Sequence, residues 1–298
     1  GYLGLLTWPM IAAGWMLILL QRGSASISRL DKILDSASEP EHRPAITNAK
    51  SLEVKNLSFD YGRGERGLVN WNLQLKPGQT LGIVGPVGSG KSTFLRLLQL
   101  MENPPPGAIY AGEKDITEYS PSSVRSLFAY VNQEPFLFSD TIRNNLLMSR
   151  PGASEAELEK AVALASLSAD LKEFPMGMDT MLGERGISLS GGQKQRTALA
   201  RALLKSAPFL VLDDTLSAVD TVTESHVLRH LREEQKQRLQ ANIIVSHRLS
   251  AVAEADEIIV VDNGAIVDRG THRELSERPG LYRDLLAHQT EGEVEPLV

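Results

Sequence analysis

The sequence predicts an α/β protein with a mainly parallel sheet, preceded by one helix long and apolar enough to span a membrane. Three observations carry this. Short β-type runs alternate with helical segments from Leu52 onward, the pattern of strands joined by helices. A glycine-rich loop ending in lysine sits between one such run and a helix. The first twenty residues hold a long stretch without a charge.

That stretch, Tyr2 to Leu20, reads YLGLLTWPMIAAGWMLILL. As a helix its nineteen residues rise about 28 Å at ~1.5 Å each, close to the roughly 30 Å hydrocarbon layer. Pro9 would kink a helix and is easier to accommodate inside a membrane bundle. A buried core helix is the soluble alternative. A signal peptide is disfavoured, because no basic segment precedes the run and no small-residue cleavage site clearly follows it. Arg22, Arg29 and Lys32 come next, so the positive-inside rule puts the downstream chain in the cytoplasm. The chain opens on Gly1 rather than Met, and one such helix rarely stands alone. The expectation is a piece of a longer, multi-pass protein of the inner (plasma) membrane, in contact with membrane lipid.

From Ser24 to Ser36, Ile27, Leu30, Ile33 and Leu34 recur at helical spacing among charges, as if the same helix continued out of the membrane. Residues 36–51, SASEPEHRPAITNAKS, are polar, contain Pro40 and Pro44, and read as a linker. Strand-like runs follow: LEVKNLSF from Leu52, TLGIVG at 80–85, LFAYVNQ at 127–133, FLVLDD at 209–214, NIIVS at 242–246 and EIIVVDN at 257–263. Helices are expected over Thr93–Met101, 154–171 and 191–206, and the mostly helical stretch from about 140 to 207 could form its own lobe. No tandem repeat is visible, and an acidic tail follows His288. The division expected is therefore 1–35 membrane helix and extension, 36–51 linker, 52–288 main domain and 289–298 tail.

Residues 85–92, GPVGSGKS, match G-x-x-x-x-G-K-[ST] between a predicted strand and a predicted helix. Gly85, Pro86, Val87, Gly88, Ser89 and Gly90 make a loop whose amides can wrap phosphate oxygens, with glycines leaving no Cβ in the way. Lys91 neutralises β/γ-phosphate charge, Ser92 offers a hydroxyl to Mg2+, and Thr93 continues a helix N-terminus whose dipole favours an anion. Mg2+ also needs a carboxylate at the end of an apolar strand, and FLVLD supplies Asp213. LSGGQ at 189–193 places Ser190, Gly191, Gly192 and Gln193 at the start of another helix, a second anion-binding N-terminus. One chain has no use for two such cradles on one nucleotide unless another subunit supplies the second.

With these residues the chain resembles the ATP-binding cassette (ABC) family from Leu52 to about Leu286. The motifs stand in family order: Tyr61 for the adenine-stacking aromatic, GPVGSGKS, Gln133 for the Q-loop, LSGGQ, FLVLDD, SAVD at 217–220 for the D-loop, and His247 for the switch histidine. The resemblance implies a P-loop NTPase core with an antiparallel β subdomain and an α-helical subdomain, using ATP and Mg2+. It implies nucleotide contacts from Tyr61, residues 85–93, Ser190 to Gln193 and Asp220. It implies Mg2+ contacts from Ser92, Gln133 and Asp213, and catalytic roles for Asp214, His247 and Gln133. Taken singly, Tyr61 reads as a strand-edge residue, Gln133 as a solvated loop residue and His247 as a structural histidine.

A membrane-type helix ahead of the cassette is similar to the exporter arrangement of six membrane helices followed by the nucleotide-binding domain, and would be the sixth. GERG at 183–186 resembles the exporter loop that meets the cytoplasmic coupling helices, and QEPFLFSDTIRNNL at 133–146 is likewise similar to exporter cassettes. The family's hydrolytic site has glutamate after the Walker B aspartate, where this chain has Asp214. Its carboxylate stands one methylene, about 1.5 Å, nearer the backbone, and a base must reach its proton at hydrogen-bond distance. The resemblance thus implies intact Mg-ATP binding and slow hydrolysis at this site. It points to one half of a bacterial heterodimeric multidrug-type exporter, with LSGGQ completing the site of a second ABC half-transporter. A homodimer remains open, and the exported substrate is not legible.

The composition fits a cassette: 42% hydrophobic, 23% charged and a net charge of −6, close to globular averages. It excludes a disordered tail, a collagen-like fibre and a chain made of many membrane spans. The acidic balance disfavours nucleic acid as a partner. The absence of cysteine excludes a disulfide scaffold, a thiolate metal site and a cysteine nucleophile. Two other readings stay open. A soluble ABC ATPase acting on DNA or ribosomes would call for tandem cassettes, a coiled-coil insertion or basic surfaces. A non-hydrolysing regulatory ATP-binding subunit is allowed by Asp214 and weakened by His247 and SAVD.

Overall fold

The computed structural model describes residues 1–35, 39–40, 43–46, 49–62, 67–183 and 188–292, in two units, Gly1–Glu41 and His42–Val298. The first unit is helix α1 (Tyr2–Leu34), with Pro9 inside it and Lys32 in its last turn, where a cation complements the helix dipole. The apolar run and the striped extension form one continuous helix, and among the described residues it is the one helix long and apolar enough to cross a membrane. Leu5, Trp8, Met16, Leu19 and Leu20 are all exposed. A soluble core helix buries such residues, whereas a lipid-facing one has no need to.

The second unit runs through β1 (Leu52–Phe59), β2 (Leu68–Leu75), β3 (Thr80–Val84), α2 (Lys91–Leu98), β4 (Ile109–Ala111), β5 (Lys114–Asp115), α3 (Pro121–Ser126) and β6 (Phe128–Val131). Helices α4 (Ile142–Leu147), α5 (Glu155–Leu164), α6 (Ser168–Glu173) and α7 (Gly191–Lys205) form the helical stretch. Then come β7 (Phe209–Asp213), α8 (Thr221–Arg238), β8 (Ala241–Val245), β9 (Glu257–Asp262), β10 (Ala265–Gly270), α9 (His272–Glu277) and α10 (Leu281–Gly292).

Among the described residues ten strands make one sheet in the order β5-β4-β1-β2-β10-β9-β3-β8-β7-β6. Strands β9, β3, β8, β7 and β6 are parallel neighbours, and β5, β4, β1 and β2 are antiparallel ones. The α/β core with an antiparallel part and a helical part is therefore as expected.

The central strands are buried on both faces, which is why they read as unbroken apolar runs rather than alternating ones. Phe209 and Val211 of β7, Ile243 and Val245 of β8, and Ile259 and Val261 of β9 pack on the side of Phe94 and Leu97 of α2. Leu210, Leu212, Ile244, Ile258 and Val260 pack on the other side with Leu199 and Leu203 of α7 and Val227 and Leu231 of α8. The antiparallel part is tied in by Trp71, wholly buried against Phe94, whose indole N–H donates to Gly264 O at 2.8 Å.

Two helices differ from the sequence expectation in the same way. The helix expected over 154–171 stops at Leu164, where Ser166 turns left-handed (φ +53°) and the amides of Ser166 and Leu167 return to Ala163 O and Val162 O. This is a Schellman stop made without glycine, with Leu167 wholly buried behind it. Leu100 (φ +50°) ends α2 likewise, its amide and that of Met101 bonding to Leu97 O and Arg96 O. That helix starts two residues before Thr93, with Gly90 as its N-cap.

Candidate functional site

The chemistry-bearing residues lie just past the C-terminal ends of four adjacent parallel strands, β3, β8, β7 and β6, where loops in such sheets gather ligands. Gly85 to Gly90 follow β3, Asp213 ends β7 with Asp214 just after it, Ser246 and His247 follow β8, and Gln133 follows β6 by two residues. Sheet order thus brings together positions more than a hundred residues apart in the chain.

The loop after β3 depends on its glycines. Gly85 has φ +154°, and a Cβ on it would lie 2.1 Å from Val261 O of the neighbouring strand. Gly88 has φ +81°, and a Cβ there would meet nothing within 4 Å, so the loop is open at this position. Lys91 folds back over it, its Nζ donating to Gly85 O (2.7 Å), Pro86 O (2.8 Å) and Ser89 Oγ (3.4 Å). Burial lowers the Lys91 pKa, and the charges of Asp213 and Asp214 oppose that. Pro86, Val87 and Ser92 are exposed, and Ser89 is buried. Tyr61 donates its hydroxyl to Thr93 Oγ1 at 3.1 Å, with its ring edge-on to Phe59. The aromatic singled out in the sequence thus touches the first turn of α2.

Asp213 Oδ2 accepts from the Tyr130 hydroxyl at 2.8 Å. Burial raises the Asp213 pKa, the Tyr130 bond works against it, and the neighbouring Asp214 charge adds to it. Asp214 is buried and left-handed (φ +47°), its amide extending the β7–β8 ladder to Val245 O at 2.7 Å. Its carboxylate gathers three side chains: His247 Nδ1 at 2.8 Å and Ser246 Oγ at 3.5 Å on Oδ1, and Gln133 Nε2 at 3.4 Å on Oδ2. Asp214, His247 and Gln133 are therefore one cluster.

The second cradle lies at the head of α7. Ser190 and Gln193 form a reciprocal capping box, Ser190 Oγ accepting from Gln193 N (3.3 Å) and Gln193 Oε1 from Ser190 N (2.9 Å). The amides of Gly191 and Gly192 stay in the first turn, where a helix offers no acceptor of its own. Gln193 also donates to Asp170 Oδ1 of α6 at 3.0 Å, and Arg196 Nη2 donates to both Asp170 oxygens at 2.9 and 2.7 Å. Asp220 caps α8 by accepting from Thr223 N at 2.9 Å, which lowers its pKa. The bonds of Ser190 and Gln193 run within this cap and to α6 rather than to the loop after β3.

Sequence reasoning missed the residues that hold these in place. Buried Gln195 accepts from Ala218 N (3.0 Å) and donates to Ser217 Oγ (3.3 Å), and Ser217 Oγ donates to Asp214 O (2.9 Å). The head of α7, the 217–220 turn and Asp214 thus form one chain of bonds. A buried glutamine on an otherwise apolar helical face was the available signal. Asp170, Tyr130 and Thr215, which donates to Val131 O at 3.1 Å, had no sequence signal of their own. In GERG, residues 184–186 lie outside the described residues, as do 293–298 of the acidic tail.

Among the described residues no three His, Cys, Asp or Glu side chains gather as a metal cluster. A hard cation that keeps several waters and a phosphate needs only one carboxylate and a hydroxyl, which Asp213 and Ser92 offer, and partly buried Asp213 is an acceptor a cation would relieve.

Residues 68–217 match the family described as ABC transporter. The chain is 45% identical over 291 residues to the multidrug resistance-like ATP-binding protein MdlA of Escherichia coli (strain K12), covering 97% of this chain and 49% of that protein. It is 42% identical to the ATP-dependent lipid A-core flippase of Photobacterium profundum, covering 89% and 46%. A solved bacterial Atm1-family ABC exporter with ATP bound superposes with a TM-score of 0.82 at 35% identity, covering 93% of this chain and 48% of that one. The chain spans about half the length of the relatives it matches.

Proposed function

The chain belongs to the ABC transporter family, and on that premise we propose that it is the ATP-binding and ATP-hydrolysing part of an exporter of the inner membrane. In this reading α1 is the end of the membrane domain, residues 52–288 are the cytoplasmic nucleotide-binding domain, and a second half-transporter completes each site. The relatives, named as a multidrug-resistance-like protein and a lipid flippase, support export and leave the substrate class open.

The observation that carries the reading is the convergence of Gln133 and His247 on the Asp214 carboxylate, beside Asp213 and the lysine-bearing loop. Mg-ATP would bring the reacting γ-phosphoryl group and the cation that offsets its charge. The residues of this chain do the rest. Amides of 87–90 and Lys91 hold phosphate oxygens, Ser92 and Asp213 are the oxygen donors for Mg2+, and Tyr61 meets the base. Asp214 Oδ2, oriented by Gln133, is the oxygen that takes a proton from water, and His247 keeps Oδ1 occupied. Ser190, Gly191, Gly192 and Asp220 face the partner's nucleotide.

Asp214 in place of glutamate supports a heterodimer in which this chain carries the slower site. Exposed Phe136 and Phe138, edge-to-face at 4.8 Å just after Gln133, support transmission of closure to membrane helices. The test is ATP turnover of the assembled transporter in lipid with Lys91→Ala and His247→Ala. At this chain's own site, loss of binding with the first and of turnover with the second is expected; full binding and turnover at that site in both would overturn the reading.

A further inference from the structure

The switch loop between β8 and the turn at Leu249–Val252 belongs to no sheet or helix, so its backbone groups need partners from elsewhere. Ser246 N donates to Ile83 O of β3 and Arg248 N to Ser246 Oγ, α10 takes further backbone groups, and α8 holds the loop's side chains. From α8, buried Glu224 accepts from Arg248 Nη1 (3.0 Å) and Ser250 Oγ (2.9 Å), while Arg248 Nη1 also donates to Val219 O (3.2 Å). From α10, Gln289 Oε1 accepts from Leu249 N at 3.0 Å and its Nε2 donates to His247 O.

The geometry of α10 makes this bracket a fixed one. Leu281, Leu285 and Leu286 pack on the apolar cluster that contains Leu249 and Val252, and Tyr282 is wholly buried with its hydroxyl 2.7 Å from His272 Nδ1. Gln289 stands one turn beyond Leu285 on that same stripe. A polar residue on a core-facing stripe must find partners, and the partners here are the two peptide groups on either side of Arg248. They fix the Cα from which the His247 ring reaches Asp214.

We propose that Gln289, on α10, is a positioning residue for His247, holding the loop that carries the histidine at the distance Asp214 requires. The inference rests on the role given above to His247. It assigns α10 a part in nucleotide turnover although none of its described side chains belongs to the phosphate loop or to the Asp214 cluster. A helix that carries this bracket is also one through which a bound partner could alter turnover without touching nucleotide.

The test uses the assembled transporter in lipid, with the partner's own hydrolytic site disabled so that turnover reports this chain's site. It compares Gln289→Met, which keeps the length and loses both bonds, His247→Ala, and the double variant. Three results are expected. Gln289→Met lowers kcat about tenfold, the scale of a sub-ångström to 1 Å misplacement, with the Kd for MgATP unchanged. Peptides spanning 245–252 take up deuterium faster in that variant without nucleotide, because the Leu249 amide has lost its acceptor. In the His247→Ala background Gln289→Met has no further effect on residual turnover. Should Gln289→Met fail to fold, Gln289→Glu, which keeps the acceptor and loses the donor, is read the same way. An unchanged kcat with faster exchange confined to α10 would make Gln289 only a staple for its helix and overturn the proposal. A loss that adds in full to that of His247→Ala would overturn it too. Unchanged turnover in His247→Ala alone would instead remove the role of His247, and this proposal with it.

Discussion

Asp214 Oδ1 lies 2.8 Å from His247 Nδ1, and Gln133 Nε2 approaches the other oxygen of the same carboxylate. Asp214 leads away from β7 in the left-handed region, which aspartate tolerates better than most residues. Its backbone is pinned twice, by its own amide on Val245 O and by Ser217 Oγ on its carbonyl. The carboxylate therefore cannot follow a distant water by backbone movement, and its short arm sets its reach.

Lengthening that arm is the direct check. Asp214→Glu is expected to raise ATP turnover at this chain's own site by about tenfold or more, since a base misplaced by ~1 Å can cost on the order of 10²-fold. Asp214→Asn should keep MgATP binding and abolish turnover at this site. Turnover unchanged in Asp214→Glu would show that the aspartate does not limit hydrolysis.

Asp213 gives a pH-dependent counterpart. Burial raises its pKa in the folded chain above the unfolded value of 3.8. The folded state thus binds that proton more tightly, a contribution fully present below pH 3.8 and lost as pH rises through the folded value. At neutral pH the ionised carboxylate is a cost to the ligand-free fold. Asp213→Asn should then melt higher than the unaltered chain at pH 7, with the difference closing toward pH 3.8. MgATP should raise the Tm of the unaltered chain and not that of the variant. A Tm for Asp213→Asn below that of the unaltered chain at pH 7 would contradict it.

Much of this site was legible because its chemistry is local in sequence. The loop at 85–92, the carboxylates closing FLVLDD and the cap of LSGGQ each declare themselves within eight residues. The central strands were legible for a related reason, since burial on both faces removes polar residues and leaves short apolar runs. What escaped was whatever depended on tertiary partners. Strand β2 reads LVNWNLQL, with polar residues on its exposed face, and pairs with β1 through a shifted register. Helix α8 carries charges over most of its surface, so only Val227, Leu231 and their neighbours mark its buried side. Leu100 and Ser166 end helices in a conformation for which glycine is the usual signal, so those ends could not be read. Tyr130, Asp170 and Gln195 act through bonds to residues 22 to 83 positions away, pairings that only the tertiary fold reveals.

Two glycines of one loop should separate folding from binding. A Cβ at Gly85 would stand 2.1 Å from Val261 O in the sheet, so Gly85→Ala must displace β9 or the loop. A cost of about 2–3 kcal/mol is expected, read as a lower urea midpoint. At Gly88 the added methyl meets no atom within 4 Å. Gly88→Ala should cost only about 1 kcal/mol of left-handed strain while weakening MgATP binding, because the methyl would stand in the open space at the loop where a phosphate is proposed to bind. Equal losses of stability in the two variants would refute the distinction.

The pair Asp170–Arg196 sits behind the second cradle, with side-chain exposures of 15% and 12%. Arg196 Nη2 spans both carboxylate oxygens, and its Nε is buried with no partner among the described residues. Removing only Asp170 would leave a guanidinium buried and unpaired, so Asp170→Leu is expected to destabilise by about 3 kcal/mol. Adding Arg196→Met removes the stranded charge and should recover most of that loss, since a buried ion pair exchanged for apolar groups of similar size is often near neutral. The two variants then differ in stability but share one defect, because in both Gln193 Nε2 has lost its acceptor on Asp170. The Ser190 cap would remain, held by the reciprocal bonds between Ser190 and Gln193, but untethered from α6. The double variant should therefore melt close to the unaltered chain and still support less nucleotide occlusion at the partner's site. Measuring Tm and trapped nucleotide on the same preparations decides it, and full occlusion in the double variant would show that the α6 tether is dispensable.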